Sequence, residues 1–121
     1  MHIEHLIGGK AVASQHTFET VDPATQEVLA EVASGGQDEV DAAVAAAKSA
    51  FPAWAGRPAV ERAKLMRRLG DLIAAHVPEI AQIETRDSGQ VIAQTGNQLI
   101  PRAADNFHYF AEMCTRVDGH T

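Results

Sequence analysis

The groups of this chain that could do chemistry are one thiol, six histidines and a scatter of arginines and carboxylates. Cys114 is the only cysteine. A nucleophilic thiol needs a lowered pKa, from a helix N-terminus or a neighbouring cation. Cys114 instead repeats helically with Phe107, Phe110 and Ala111, late in a helix and near the negative end of its dipole. It reads as a small buried hydrophobe rather than a nucleophile. The pair His2-x-x-His5 invites a metal reading. On a strand, positions three apart point to opposite faces, so the two rings cannot hold one ion. His16, His76, His108 and His120 are dispersed, and a structural or solvated role is expected of all six. Gly8-Gly9 and Gly35-Gly36 are turn glycines. Neither has the strand-to-helix spacing of a phosphate loop, and no Gly-x-Gly-x-x-Gly or Walker sequence occurs. Arg102 follows Pro101 at the first turn of the last helix. Its plain reading is an exposed arginine paired with Asp105 and worth little.

These groups need elements to position them, and size sets the bounds. The chain has 121 residues, enough for one domain or part of one. It is 45% apolar but only 5% aromatic, so its large anchors are four Phe beside Trp54 and Tyr109. A net charge of −6 argues against binding nucleic acid, which needs a basic surface. A lone cysteine rules out an internal disulfide and suits a reducing cytoplasm. No apolar run has membrane-spanning length, and the start lacks the pattern of a signal peptide.

Strands come first. Ile3 to Val12 is expected to fold as two strands around Gly8-Gly9. His16 to Val21 and Glu27 to Val32 make a second pair around Asp22-Pro23-Ala24-Thr25-Gln26. Proline sets φ at the first central turn position, and Asp22 can bond the turn backbone. Gln26 falls where a positive φ is convenient. Ser34-Gly35-Gly36 ends the β part. Val40, Val44, Ala47 and Phe51 then form one apolar stripe on a helix from Gln37 to Ala50. Asp38, Glu39 and Asp41 crowd its first turn, Lys48 its last, and Phe51-Pro52 is expected to stop it. A second helix opens at Arg57-Pro58. Val60, Leu65, Leu69, Leu72 and Ile73 are its expected buried face, and Arg62, Lys64, Arg67 and Arg68 its solvated side. His76-Val77-Pro78 interrupts, and a third helix runs to Asp87 with Gly89 as its stop. The last block, Val91 to Val117, is expected to break at Pro101.

Leu6-Ile7-Gly8-Gly9-Lys10-Ala11-Val12, Asp22-Pro23-Ala24-Thr25-Gln26-Glu27-Val28 and Glu84-Thr85-Arg86-Asp87-Ser88-Gly89-Gln90 occur in this order. The collinear set resembles the start of the aldehyde dehydrogenase superfamily and runs the length of the chain. Family members typically carry Ile-x-Gly-x-Trp, Asn-Pro-Ala-Thr-Gly-Glu-Val and Glu-Thr-x-Asp-x-Gly-Lys there. Ala11, Asp22, Gln26 and Gln90 depart from that pattern. The resemblance implies an α/β fold in the full-length family, with a Rossmann-type nucleotide-binding domain. This chain would supply its N-terminal part: a short β-meander (residues 1–34) and a helical block (residues 37–117). It also implies a cytoplasmic, NAD-dependent enzyme that is a homodimer or homotetramer as a full chain, with no nucleic-acid or membrane partner. The family's catalytic cysteine, catalytic glutamate, nucleotide-binding turn and oligomerisation arm would lie beyond Thr121. No catalytic or cofactor-binding residue is therefore assigned within residues 1–121.

Two sites carry over by the same resemblance. Counting back from Tyr109-Phe110-Ala111, Arg102 falls on a helix position that lines the aldehyde channel, usually apolar where the aldehyde is neutral. A guanidinium there suits a substrate carboxylate held by a bidentate pair. Ile100-Pro101-Arg102 with Asn106-Phe107 looks like the branch that oxidises muconate semialdehydes in aromatic catabolism. Gln98, one turn earlier, is a weaker channel candidate. Asp87 with the backbone carbonyl near Val21 is the family's place for a monovalent cation, a fit for hard oxygen ligands. Its plain alternative is a carboxylate bonding local backbone near a helix end. Against the dehydrogenase reading stands a free-standing helical interaction module. An exposed stripe at Val40, Val44 and Phe51, or at Phe107 and Phe110, would speak for part of a larger fold. Metal storage through the histidines ranks far lower.

Overall fold

Positive φ at consecutive glycines opens the architecture: Gly8 and Gly9 sit at 59° and 78°. That is the geometry a tight two-residue hairpin turn requires. It joins β2 (His5–Ile7) to β3 (Lys10–Val12) antiparallel, as expected. The computed structural model describes residues 1–116. The chain divides into two units, Met1–Gly56 and Arg57–Thr121.

In the first unit, β4 (Thr17–Val21) pairs antiparallel with β5 (Val28–Ala33) across the Asp22 turn. Asp22 Oδ1 accepts from the Ala24 and Thr25 backbone N–H groups at 2.8 and 3.2 Å. Gln26 takes φ 63°, and its N–H donates to the Asp22 carbonyl at 2.7 Å. Sequence and structure agree on the residue that bears the strain. The strands do not form a simple meander, however. β1 (His2–Ile3) pairs parallel with β5, giving a three-stranded sheet of order β1-β5-β4 beside the separate β2-β3 hairpin. Adjacent strands can make hairpins, but the parallel pair is a non-local contact that no turn sequence encodes.

Helix α1 runs Gln37–Ala55, past Pro52. The expected stop at Phe51-Pro52 therefore fails. Proline removes one N–H bond, and here only the last turn follows it, where that loss is tolerable. Gly56 N–H closes the end on the Pro52 carbonyl at 2.9 Å. Lys48 accordingly lies inside the helix, and the last turn has no basic residue. No residue of α1 is buried.

The second unit is helical. The Pro58 carbonyl accepts from the Glu61 and Arg62 N–H groups at 2.9 and 3.2 Å and starts α2 (Ala59–Ala75). α3 (Val77–Ser88) begins with Pro78 in its first turn and ends at Gly89, φ 74°, whose N–H donates to the Thr85 carbonyl. α4 (Ile92–Gln94), a π turn (Thr95–Leu99) and α5 (Ile100–Met113) then follow without interruption. The expected break at Pro101 is absent. The proline ring would collide with the carbonyl four residues back in a regular helix. The wider π turn lies just before it. The helical block is followed to Met113; Val117 lies outside the described residues.

Cross-links fix α2 and α5 as antiparallel: Met66 with Cys114, Arg67 with Glu112, and Asp71 with His108. Their buried residues are Ala63, Gly70, Ala104 and Ala111. Small side chains let two helix backbones come close. The expected buried face of α2 is thus corrected, because Val60, Leu65, Leu69 and Leu72 are all at least 41% exposed. Arg62 is also moved: it is half-buried, not on the solvated side. Among the described residues every buried apolar side chain is an alanine, and none of the helices is long and apolar enough to cross a membrane.

Candidate functional site

The residues with functional promise cluster on the α3–α5 segment of the second unit. Arg102 sits in the first turn of α5, immediately after Pro101 and the π turn. Its side chain is exposed. No ion pair joins it to Asp105 among the described residues, so the plain reading of a paired surface arginine lacks its partner. Gln98 is inside the π turn and also exposed. The structure therefore puts both channel candidates on one continuous helical run. π turns occur disproportionately at functional sites, because they change the phase of a helix locally.

What holds that turn is a residue the sequence did not single out. Thr95 is fully buried, with 0% exposure. Its Oγ1 lies 2.8 Å from Thr85 Oγ1, 3.1 Å from the Ile92 carbonyl and 3.3 Å from the Ala81 carbonyl. A hydroxyl has one proton. Thr95 spends it on the two carbonyls, so Thr85 donates to Thr95. The π turn closes with the Ile100 N–H on the Thr95 carbonyl. A threonine ten residues after another threonine carries no sequence signal, which is why the pair went unread.

Asp87 is exposed in the last turn of α3 and takes part in an interaction of its own. Val21 ends β4 in the first unit, 40% exposed, where the ladder register shifts between Thr20 and Val21. The two proposed cation ligands thus belong to different units. Among the described residues no group of three or more His, Cys, Asp or Glu could hold a metal ion; His120 lies outside them.

Cys114 packs against its neighbours but is half-buried rather than buried. Its Sγ is 3.6 Å from Met66 Sδ and 3.4 Å from the Phe110 carbonyl. It lines a shallow groove with Arg62, Met66, Phe110 and Met113. Arg62 Nε is buried there without a hydrogen-bond partner. In the first unit, Glu39 Oε2 accepts the Gly36 N–H at 2.7 Å. That bond first, then one from the Glu39 backbone itself, with His5 and His16 as lesser contributions, holds the Glu39 carboxyl below its ordinary value. Arg67 does the same for Glu112 by a direct hydrogen bond.

Residues 11–121 match the profile described as the aldehyde dehydrogenase family. A 5-carboxymethyl-2-hydroxymuconate semialdehyde dehydrogenase from Escherichia coli is 59% identical, over 98% of this chain and 25% of that protein. A 2-aminomuconic semialdehyde dehydrogenase from Homo sapiens is 36% identical, over 96% of this chain and 25% of that protein. Among solved structures, the NAD+ complex of an aldehyde dehydrogenase from Bacillus cereus superposes with a TM-score of 0.96 at 38% identity, over 100% of this chain and 26% of that one. The chain spans about a quarter of the length of the curated relatives it matches.

Proposed function

The chain belongs to the aldehyde dehydrogenase family, and we propose that it is the N-terminal portion of an NAD-dependent enzyme that oxidises a carboxylate-bearing semialdehyde to the acid. The substrate is of the 5-carboxymethyl-2-hydroxymuconate semialdehyde type, in the breakdown of aromatic acids such as 4-hydroxyphenylacetate. The observation that carries the reading is Arg102: an exposed guanidinium without a partner among the described residues, on the run that also holds Gln98. Two muconate-type semialdehyde dehydrogenases among the relatives support the substrate class. A planar fork of donors matches a carboxylate in two parallel hydrogen bonds.

NAD supplies the hydride acceptor of such a reaction. The described residues offer it no glycine-rich phosphate loop, so its binding falls to other parts of the enzyme. The same holds for the nucleophile, since Cys114 is packed among Met66 and Phe110. The residues of this chain bind and orient; alone they are inactive. The Asp87 carboxylate is proposed to take part in binding a monovalent cation in the complete enzyme.

Exposure favours part of a larger fold over a free-standing module. Val40 is 54%, Val44 47%, Phe51 64% and Phe110 57% exposed. Monomeric proteins seldom leave such stripes bare.

The test is Arg102→Leu in the full-length enzyme. Losing a hydrogen-bonded charge pair costs roughly 1.5–3 kcal/mol, or about 10- to 150-fold. KM for a semialdehyde with a terminal carboxylate is expected to rise by that factor, with butanal unaffected. Equal change for both aldehydes sinks the assignment. Run on residues 1–121 alone, the same assay is expected to give no NAD reduction; measurable turnover would overturn the claim that this portion is inactive.

A further inference from the structure

The π turn lies between two anchored stretches of one helical run. Thr95 is tied to α3 through Thr85 and Ala81. Ala104 and Ala111 are tied to α2, where Gly70 would bring a Cβ within 3.1 Å of the Ala104 carbonyl. On a regular helix at 3.6 residues per turn, positions 95 and 104 lie about 180° apart. One helix cannot then bury Thr95 against α3 and Ala104 against α2 unless those neighbours stand opposite each other. Absorbing one residue in a π turn removes about 100° from that angle. The turn thus sets the angle at which the Thr95 and Ala104 anchors leave the run.

We propose that Thr95 is a positioning residue: its buried hydroxyl, held by Thr85, Ala81 and Ile92, locks the π turn and thereby sets the angle between Gln98 and Arg102. This rests on the reading that those two side chains meet the substrate carboxylate. Without the hydroxyl, residues 95–99 are free to rewind as α-helix, with the Ile100 N–H moving from the Thr95 carbonyl to that of Gly96. α5 remains on α2 through its alanines and the Asp71–His108 and Arg67–Glu112 pairs. Arg102 therefore stays, and Gln98 swings by up to about 100° around the axis. The site loses one of its two polar arms while α5 keeps its packing on α2.

The experiment uses the full-length enzyme with three variants, Thr95→Val, Thr95→Ser and Arg102→Leu. The substrates are a four-carbon semialdehyde with a terminal carboxylate and butanal. Thr95→Val keeps the side-chain shape without the hydroxyl. The expected result is a KM for the carboxylated substrate at least fivefold higher, kcat within twofold, butanal unchanged, and recovery in Thr95→Ser. A merely structural role would not separate KM from kcat, nor one substrate from the other. Thr85→Val, which removes only the donor to Thr95, carries the same expectation at smaller size should Thr95→Val fold poorly. An unchanged substrate ratio in both valine variants, where Arg102→Leu abolishes discrimination, overturns the proposal. If Arg102→Leu itself changes nothing, the carboxylate reading fails separately. A crystal structure of Thr95→Val then decides this one: an Ile100-to-Gly96 bond supports the lock, and a retained Ile100-to-Thr95 bond refutes it.

Discussion

Gly70→Ala is the sharpest test of how the second unit is held together. Mid-helix glycine to alanine ordinarily stabilises by about 1 kcal/mol, because alanine has less backbone freedom to lose. Here the added Cβ would stand 2.5 Å from two atoms of the His108 ring and 3.1 Å from the Ala104 carbonyl. The ring can swing aside only by giving up its 3.0 Å contact with Asp71, an exposed pair worth at most about 1 kcal/mol. The backbone carbonyl cannot swing, so α5 must shift. Overpacking of this kind costs roughly 1–3 kcal/mol, which exceeds the propensity gain over most of its range. With the loss of the Asp71 contact added, a net loss of about 1–2 kcal/mol is expected at the middle of that range. Hydrogen exchange of α2 and α5 amides in the full-length enzyme reads it locally, as exchange about 5- to 30-fold faster in the variant. Adding His108→Ala removes the ring from the collision and is expected to restore part of the protection. Exchange at or below the wild-type rate in Gly70→Ala would refute the close approach of the two helices.

Two further perturbations probe single contacts. The Glu39 carboxyl is held low by the Gly36 N–H. A depressed folded pKa contributes stability that is present above the unfolded value, roughly pH 4.3, and is lost as pH falls through the folded value. The Gly36 amide shift is expected to titrate with a midpoint below the ordinary glutamate range, and Glu39→Gln to abolish the titration; a midpoint above that range contradicts the contact. For Asp87, replacing potassium by tetramethylammonium is expected to lower the thermal midpoint of the full-length enzyme, and Asp87→Asn to erase the difference. Insensitivity of the wild type to the exchange would dismiss the cation.

How much was legible depended on range. Gly8-Gly9, the Asp22 turn with Gln26, and the Pro78 and Gly89 helix ends were all read correctly, since a turn or cap is decided by a few adjacent residues. Prolines were over-read. Pro52 and Pro101 both signal a break, yet one falls in a last turn and the other behind a π turn that relieves its clash. The parallel β1–β5 pair, the Thr85–Thr95 bond and the Gly70 approach join residues far apart in the chain, and no local pattern encodes them. At the candidate site, Arg102 and Gln98 came from the resemblance. The residue argued to position them has a side chain that looks ordinary in any window.

Val40, Val44 and Phe51, and the leucines of α2, were correctly spaced for helices. Periodicity establishes that a helix has an apolar face but not which surface covers it. In this structure those faces are open, and what is closed is a seam of Ala63, Gly70, Ala104 and Ala111. An alanine seam fixes how near two helices come, because any larger side chain would push them apart. It buries little apolar area, so it supplies geometry more than free energy. The division of labour follows. Within the unit, close packing sets the phase of α5, and through the π turn the angle of Arg102 and Gln98. The larger apolar stripes are left exposed. A substitution in the seam should therefore alter where the arginine stands, and one in the stripes should alter whether the unit is held at all.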